Sequence, residues 1–126
     1  MTPQELQDNL RQFTGTQNYH RWSVLFRNFV MTDGVKFLSD EAGAYWLSDA
    51  IASHYGSYKK EGFVVANLMK DKGKWDLLLT DGDEHTLASQ EIGYSDFPLE
   101  EISLYVIPQE IEDGSKLWVI LLCSEY

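Results

Sequence analysis

Three kinds of side chain here could do chemistry: three histidines, one cysteine and a crowd of carboxylates. His20, His54 and His85 lie far apart in the chain. A metal centre usually announces itself by close spacing of ligands, such as a helical His pair or a CxxC step, and neither occurs. Asp81-Gly82-Asp83-Glu84 has the opening of a calcium loop. Counting Asp81 as the first position puts His85 fifth and Ile92 twelfth, where such a loop needs oxygen ligands and a closing Glu. The stretch therefore reads as a charged hairpin turn. No G-x-S-x-G elbow and no glycine-rich phosphate cradle is present. The motifs nominate no catalytic residue, metal or cofactor. Cys123, inside the apolar run LWVILLC, reads as an inert buried thiol.

The carboxylates carry more information. Net charge is −10 over 126 residues. Residues 1–75 hold eight acids against nine bases, whereas residues 76–126 hold twelve acids against Lys116 alone. Between Glu91 and Lys116 the acids are Glu91, Asp96, Glu100, Glu101, Glu110, Glu112 and Asp113. Phosphate repels such a surface, so direct nucleic-acid binding is not expected. A basic protein partner is, including one whose anion-binding groove normally holds nucleic acid. Asp96, Glu100, Glu101, Glu110, Glu112 and Asp113 are the candidate contacts, with Tyr45 and Asp49, one helical turn apart, as an aromatic and acidic pair beside them.

A second chemistry centres on His54. Spacing of 100° per residue over 40–55 puts Trp46, His54 and Tyr55 on one apolar arc with Gly43, Ala44 and Ala50. Small residues there let a sheet approach closely, and a pocket between helix and sheet would give His54 a ligand-binding or general-base role. A third reading is a homodimer that buries Tyr45 and Tyr58.

The elements that must hold these residues follow from turn chemistry and period. Thr2-Pro3-Gln4-Glu5 is a capping-box helix start, and Thr14-Gly15-Thr16 ends that short helix. A strand is expected near Phe29 to Met31, then a turn at Thr32-Asp33-Gly34 and a returning strand Val35 to Leu38. Ser39 or Asp40 caps the main helix, 40–55, which Gly56 closes. Five strand-like runs follow: EGFVVANLMK, KWDLLLT, HTLASQEI, EISLYVI and KLWVILLCSEY. Asp71-Lys72-Gly73, Asp81-Gly82-Asp83, Ser95-Asp96-Phe97-Pro98 and Asp113-Gly114 break them, each with turn residues. Glu101, Ser103 and Tyr105 should face opposite to Ile102, Leu104 and Val106. Asp96 is expected to cap the corner before Pro98. The expected fold is one α+β domain, 1–126: an antiparallel meander of four to five strands, with the 40–55 helix on one face and a short N-terminal helix. No apolar run reaches the ~20 residues of a membrane span. MTPQELQDNLRQF lacks a signal-peptide pattern, so cytoplasmic residence and no membrane partner are expected.

Thr32-Asp33-Gly34-Val35, Ala42-Gly43-Ala44-Tyr45-Trp46-Leu47, Asp96-Phe97-Pro98-Leu99 and the closing Ser124-Glu125-Tyr126 stand together with Phe13-Thr14-Gly15-Thr16. That combination resembles a family of small bacterial proteins catalogued as a domain of unknown function and met in cyanobacterial, plasmid and phage-related genomes. The resemblance implies no catalytic residues. It implies a mobile-element context, in which small acidic proteins act as inhibitors, of anti-CRISPR or anti-restriction type among others.

Overall fold

A computed structural model describes all residues, 1–126. Helix α1 (Pro3–Leu10) begins as its sequence dictates. The Thr2 side chain accepts from the Glu5 N–H, and Glu5 returns the bond to the Thr2 backbone. Leu6 and Leu10 are its buried stripe. Strands β1 (Tyr19–His20) and β2 (Phe29–Thr32) follow.

Residues 33–42 form a helix, α2 (Asp33–Ala42), and not a turn with a returning strand. Thr32 is its N-cap, accepting from the Val35 N–H, and Asp33 stands at the positive end of the dipole. Gly34, Val35, Leu38 and Ser39 are buried at helical spacing, with Lys36 and Asp40 paired one turn apart at 2.9 Å. The single 40–55 helix is accordingly corrected to parts of three. Gly43 takes the left-handed conformation at φ 59° and ends α2, and the Ala44 N–H turns back to the Ser39 carbonyl. Helix α3 (Tyr45–Ser53) then starts afresh, and the short α4 (Tyr55–Tyr58) follows His54. Neither Ser39 nor Asp40 is a cap.

All five later runs are strands: β3 (Val64–Asp71), β4 (Lys74–Thr80), β5 (Thr86–Gly93), β6 (Glu101–Glu110) and β7 (Lys116–Leu122). Lys72 and Gly73 both have positive φ, which gives the β3–β4 hairpin the tight turn whose twist suits its strands. The sheet has seven strands in the order β1-β2-β7-β6-β3-β4-β5. It is mixed and is not a meander. β2 runs parallel to β7, with Val30 opposite Val119, and β3 sits between β4 and β6. The chain leaves β5, passes over β4 and β3, and returns as β6. Pro108 is tolerated because β6 there extends past the last β3 pair, Val64 opposite Val106.

The core lies between one face of the sheet and the helices. It contains Phe29, Met31, Leu38, Leu47, Ile51, Tyr58, Leu68, Trp75, Leu77, Leu79, Leu104, Val106, Trp118 and Ile120. The expected alternation in β6 holds: Leu104 and Val106 face the helices, and Glu101 is exposed on the opposite face. The ring of Phe97 meets Trp46 at 6.1 Å and Trp75 at 5.5 Å, both edge-on, so the 96–99 corner is pinned to α3 and β4. The corner's turn bond comes from Ser95, whose hydroxyl accepts from the Phe97 N–H, and not from Asp96. No helix is long and apolar enough to cross a membrane.

Candidate interaction surface

The candidate carboxylates divide between the two ends of the sheet. Glu101 and Glu110 bound β6, whose ten residues span about 30 Å. Asp96, Glu100 and Glu101 lie at the end where β3 meets β4. Glu110, Glu112 and Asp113 lie at the other, on the β6–β7 hairpin. The sequence suggested one continuous acidic panel, and the long strand splits it. All six side chains are exposed.

Topology brings a second acidic turn to the β6–β7 hairpin. The β4–β5 hairpin, with Asp81, Asp83 and Glu84, is at the same end of the sheet, displaced sideways by three strand spacings, ~14 Å, and set back along the strands, because Thr80 is level with Tyr105 and Glu110 lies beyond it. Asp81 builds that turn. It accepts from the N–H groups of Asp83 and His85 and from the His85 ring at 2.9 Å. These bonds, the Asp83 N–H foremost, hold its carboxyl below the usual aspartate range. Asp113 is held down similarly, by the hydroxyl and N–H of Ser115. Glu110 and Glu112 have no hydrogen-bonded or ionic partner in the chain.

None of Asp96, Glu100, Glu101, Glu110, Glu112 and Asp113 pairs with a cation. The ion pairs are Arg11–Asp8, His20–Asp33, Lys36–Asp40, Lys74–Glu91 and His85–Asp81. Lys116 stands opposite Glu110 in the β6–β7 ladder without closing an ion pair to it, and Lys70 and Arg21 are turned elsewhere. The Lys70 backbone N–H bonds the Glu100 carbonyl, yet its ammonium sits 6.0 Å from the centre of the Trp75 ring. The Arg21 guanidinium donates to the Arg27 carbonyl. Lys59 and Lys60, on the run into β3 at the hairpin end, are exposed and pair with no acid.

Tyr45 and Asp49 do not form the expected pair. The Tyr45 hydroxyl donates to Asp40 at 2.5 Å, which lowers the Asp40 pKa and raises that of Tyr45. Asp49 accepts from the indole N–H of Trp22 at 2.8 Å. Both acids thus tie the helices to their neighbours. Tyr58 is fully buried, donates to the Ile51 carbonyl at 2.7 Å and has its pKa pushed up by burial. It is not available for a dimer contact.

Trp46, His54 and Tyr55 are also separated. Tyr55 packs edge-on against Phe29, Tyr58 and Trp118. The His54 ring bonds the Gln90 side chain at 2.8 Å and so joins the end of α3 to β5. Trp46 lines an open groove of about 690 Å³ between α3 and β5, shared with Ala50, Gln90, Ile92, Tyr94 and Asp96, and neither His54 nor Tyr55 is on its wall. No three His, Cys, Asp or Glu side chains converge as metal ligands. Cys123 is exposed, contrary to expectation, because β7 ends at Leu122 and the chain turns there. Partial burial still pushes its thiol up.

Sequence reasoning missed a buried polar junction. Glu125, on the helical turn Cys123–Glu125, accepts from the Thr32 hydroxyl at 2.6 Å, the Gly34 N–H at 3.1 Å and the Leu122 N–H at 3.0 Å. It is only 9% exposed. A Cβ at Gly34 would lie 2.5 Å from Leu122 Cδ1 and 2.6 Å from Glu125 Oε1, so any larger residue must push those two side chains aside. Beside this junction Thr16 accepts from the Asp33 N–H, and Phe13 meets Phe37 at 5.4 Å. Three of the short motifs, FTGT, TDGV and SEY, are therefore one contact. AGAYWL and DFPL are another, through Trp46 and Phe97.

The profile of a family described as a family of unknown function (DUF6876) matches residues 4–126. The chain belongs to this family. Its match spans both motif contacts, so the DUF6876 profile covers the whole sheet and every helix but the first residue of α1. No curated protein and no solved structure matches the chain.

Proposed function

We propose that this DUF6876 protein works by binding, not by catalysis, and that its partner is a basic protein surface engaged by the two acidic hairpins. One observation carries the reading: Glu110 and Glu112 stand exposed and form no hydrogen bond or ion pair within the chain, even with Lys116 across the β6–β7 ladder or with the exposed Lys59 and Lys60 at the same end of the sheet. An exposed carboxylate with no internal partner keeps its full field for an incoming cation. Two acidic tips at one end of the sheet, staggered along the strands, also present separated anionic groups as a nucleic acid does. A groove built for nucleic acid would accept them. The finer form of the proposal is an inhibitor or nucleic-acid mimic carried by a bacterial mobile element, of anti-CRISPR or anti-restriction type.

The alternative, a ligand pocket around His54, draws less support. The His54 ring is spent on Gln90, and no second titratable group shares its hydrogen bonds.

The test is capture of partners from the native host with the protein as bait, at low and at high salt. A specific partner retained at low salt should be lost as salt screens the contact. Replacing Glu110 and Glu112 by Lys should abolish retention, and replacing Glu100 and Glu101 should weaken it less. Unchanged retention by the Glu110→Lys/Glu112→Lys protein would refute the proposal.

A further inference from the structure

The groove beside α3 borders an unpaired strand, and the geometry points to a site for an extended peptide that adds to the sheet beyond β5 with side chains reaching under α3. This inference stands on backbone geometry and holds whether or not the hairpin carboxylates bind a partner. β5 is the last strand of the sheet and pairs only with β4. None of its backbone groups finds a partner in a turn or loop. The other edge, β1, is only two residues long, which is one way a protein blunts an edge. β5 has eight residues, no proline and no lysine, and its one charged side chain, Glu91, is paired with Lys74. Register irregularities mark both ends of its pairing with β4 and leave a regular run, Ala88–Glu91, between them. An extended segment can hydrogen-bond along that run.

Side chains of an added strand alternate between the two faces. Every second one would follow Ala88 and Gln90 towards the helices and enter the groove of about 690 Å³. Trp46 and Ala50 offer an apolar wall from α3, and Tyr94, 93% exposed, stands free at the rim where a bound chain can pack against it. A groove between an edge strand and a helix is the arrangement by which strand-adding domains take peptides, with main-chain bonds for affinity and pockets for specificity. Asp96 is at the groove mouth, exposed and without an ionic partner, and no cation lines the groove. The ligand it suits is an extended peptide with an apolar or aromatic side chain at one position and Lys or Arg two residues away.

The experiment uses a displayed library of random dodecapeptides, selected against the full chain. A selected peptide is then titrated into isotope-labelled protein and followed by amide hydrogen exchange. Binding peptides should carry the apolar and basic pair, and should slow exchange of amides in Ala88–Glu91. Tyr94→Ala and Asp96→Lys, both at exposed positions, should each weaken binding about tenfold. The Glu110→Lys/Glu112→Lys protein should bind as the parent does. Failure to enrich any peptide would overturn the inference, as would enriched peptides that leave β5 exchange unchanged. So would β5 protection that grows with protein concentration alone, which would assign the edge to a second copy of the chain.

Discussion

Glu125, where β7 finishes, and the β6–β7 hairpin at the opposite end of the same sheet handle the same chemical group in opposite ways. Glu125 is enclosed and receives three donors, two of them from a segment some ninety residues away. Glu110 and Glu112 receive none and face solvent. A buried carboxylate without donors would be intolerable, so the chain has to build its partners. An exposed one is satisfied by water and can stay available. The first arrangement joins the end of the chain to the start of α2. The second leaves charge free for another molecule. A surplus of acid in a sequence is thus two populations, and only the solvent-facing one bears on binding.

The comparison breaks most readily at the junction. Glu125→Ala leaves the Thr32 hydroxyl and the Gly34 and Leu122 N–H groups without their acceptor, so unfolding free energy should fall by about 3 kcal/mol. Urea denaturation with an unchanged slope would record it. Gly34→Ala should cost about 2 kcal/mol in the same assay, because the new methyl group must displace Leu122 and the Glu125 carboxylate. A shift below a few tenths of a kcal/mol in either variant would mean that the junction does not hold the ends of α2 and β7 together.

Charge reversal at the hairpin should do the contrary. Glu110→Lys/Glu112→Lys breaks no hydrogen bond or ion pair and only sets a like charge opposite Lys116, so its stability should stay within about 1 kcal/mol of the parent, with partner binding lost. A large fall in stability would show that these side chains have structural work after all. The smallest effect is in pH. The His20 ring, then the Gln17 N–H, hold the Asp33 carboxyl below its ordinary value. A depressed folded pKa adds stability that is complete above the unfolded value of about 4 and is lost as pH falls through the folded one. Asp33→Asn should flatten that acid limb slightly, as measured by denaturation between pH 6 and pH 3.

Much of the strand content was legible because β3, β4 and β6 alternate, β7 is one short apolar run, and turn residues bound them. The order of those strands was not. Nothing local says that β6 passes β4 to lie on β3, or that β2 joins β7 in parallel. DGVKFLSDEA was readable as a helix, since Thr32 is a capping residue and Val35, Leu38 and Ser39 recur at helical spacing. The glycine at position 34 masked it by suggesting a turn, although its real cause is the close approach of Leu122. Gly43 likewise looked like a small residue for packing within a helix and proved to be the helix end. The acidic character of the second half was plain, but its division by β6 depended on strand length and direction. The edge of β5 and the groove beside it could not be seen without knowing which strand comes last.

The most direct measurement is calorimetric titration of the captured partner with the parent and with Glu110→Lys/Glu112→Lys, across salt. Affinity of the parent should fall about tenfold or more as ionic strength rises from roughly 0.05 to 0.3 M, and the reversed protein should show no binding at either. Equal, salt-independent affinities of the two proteins, both folded, would contradict the account.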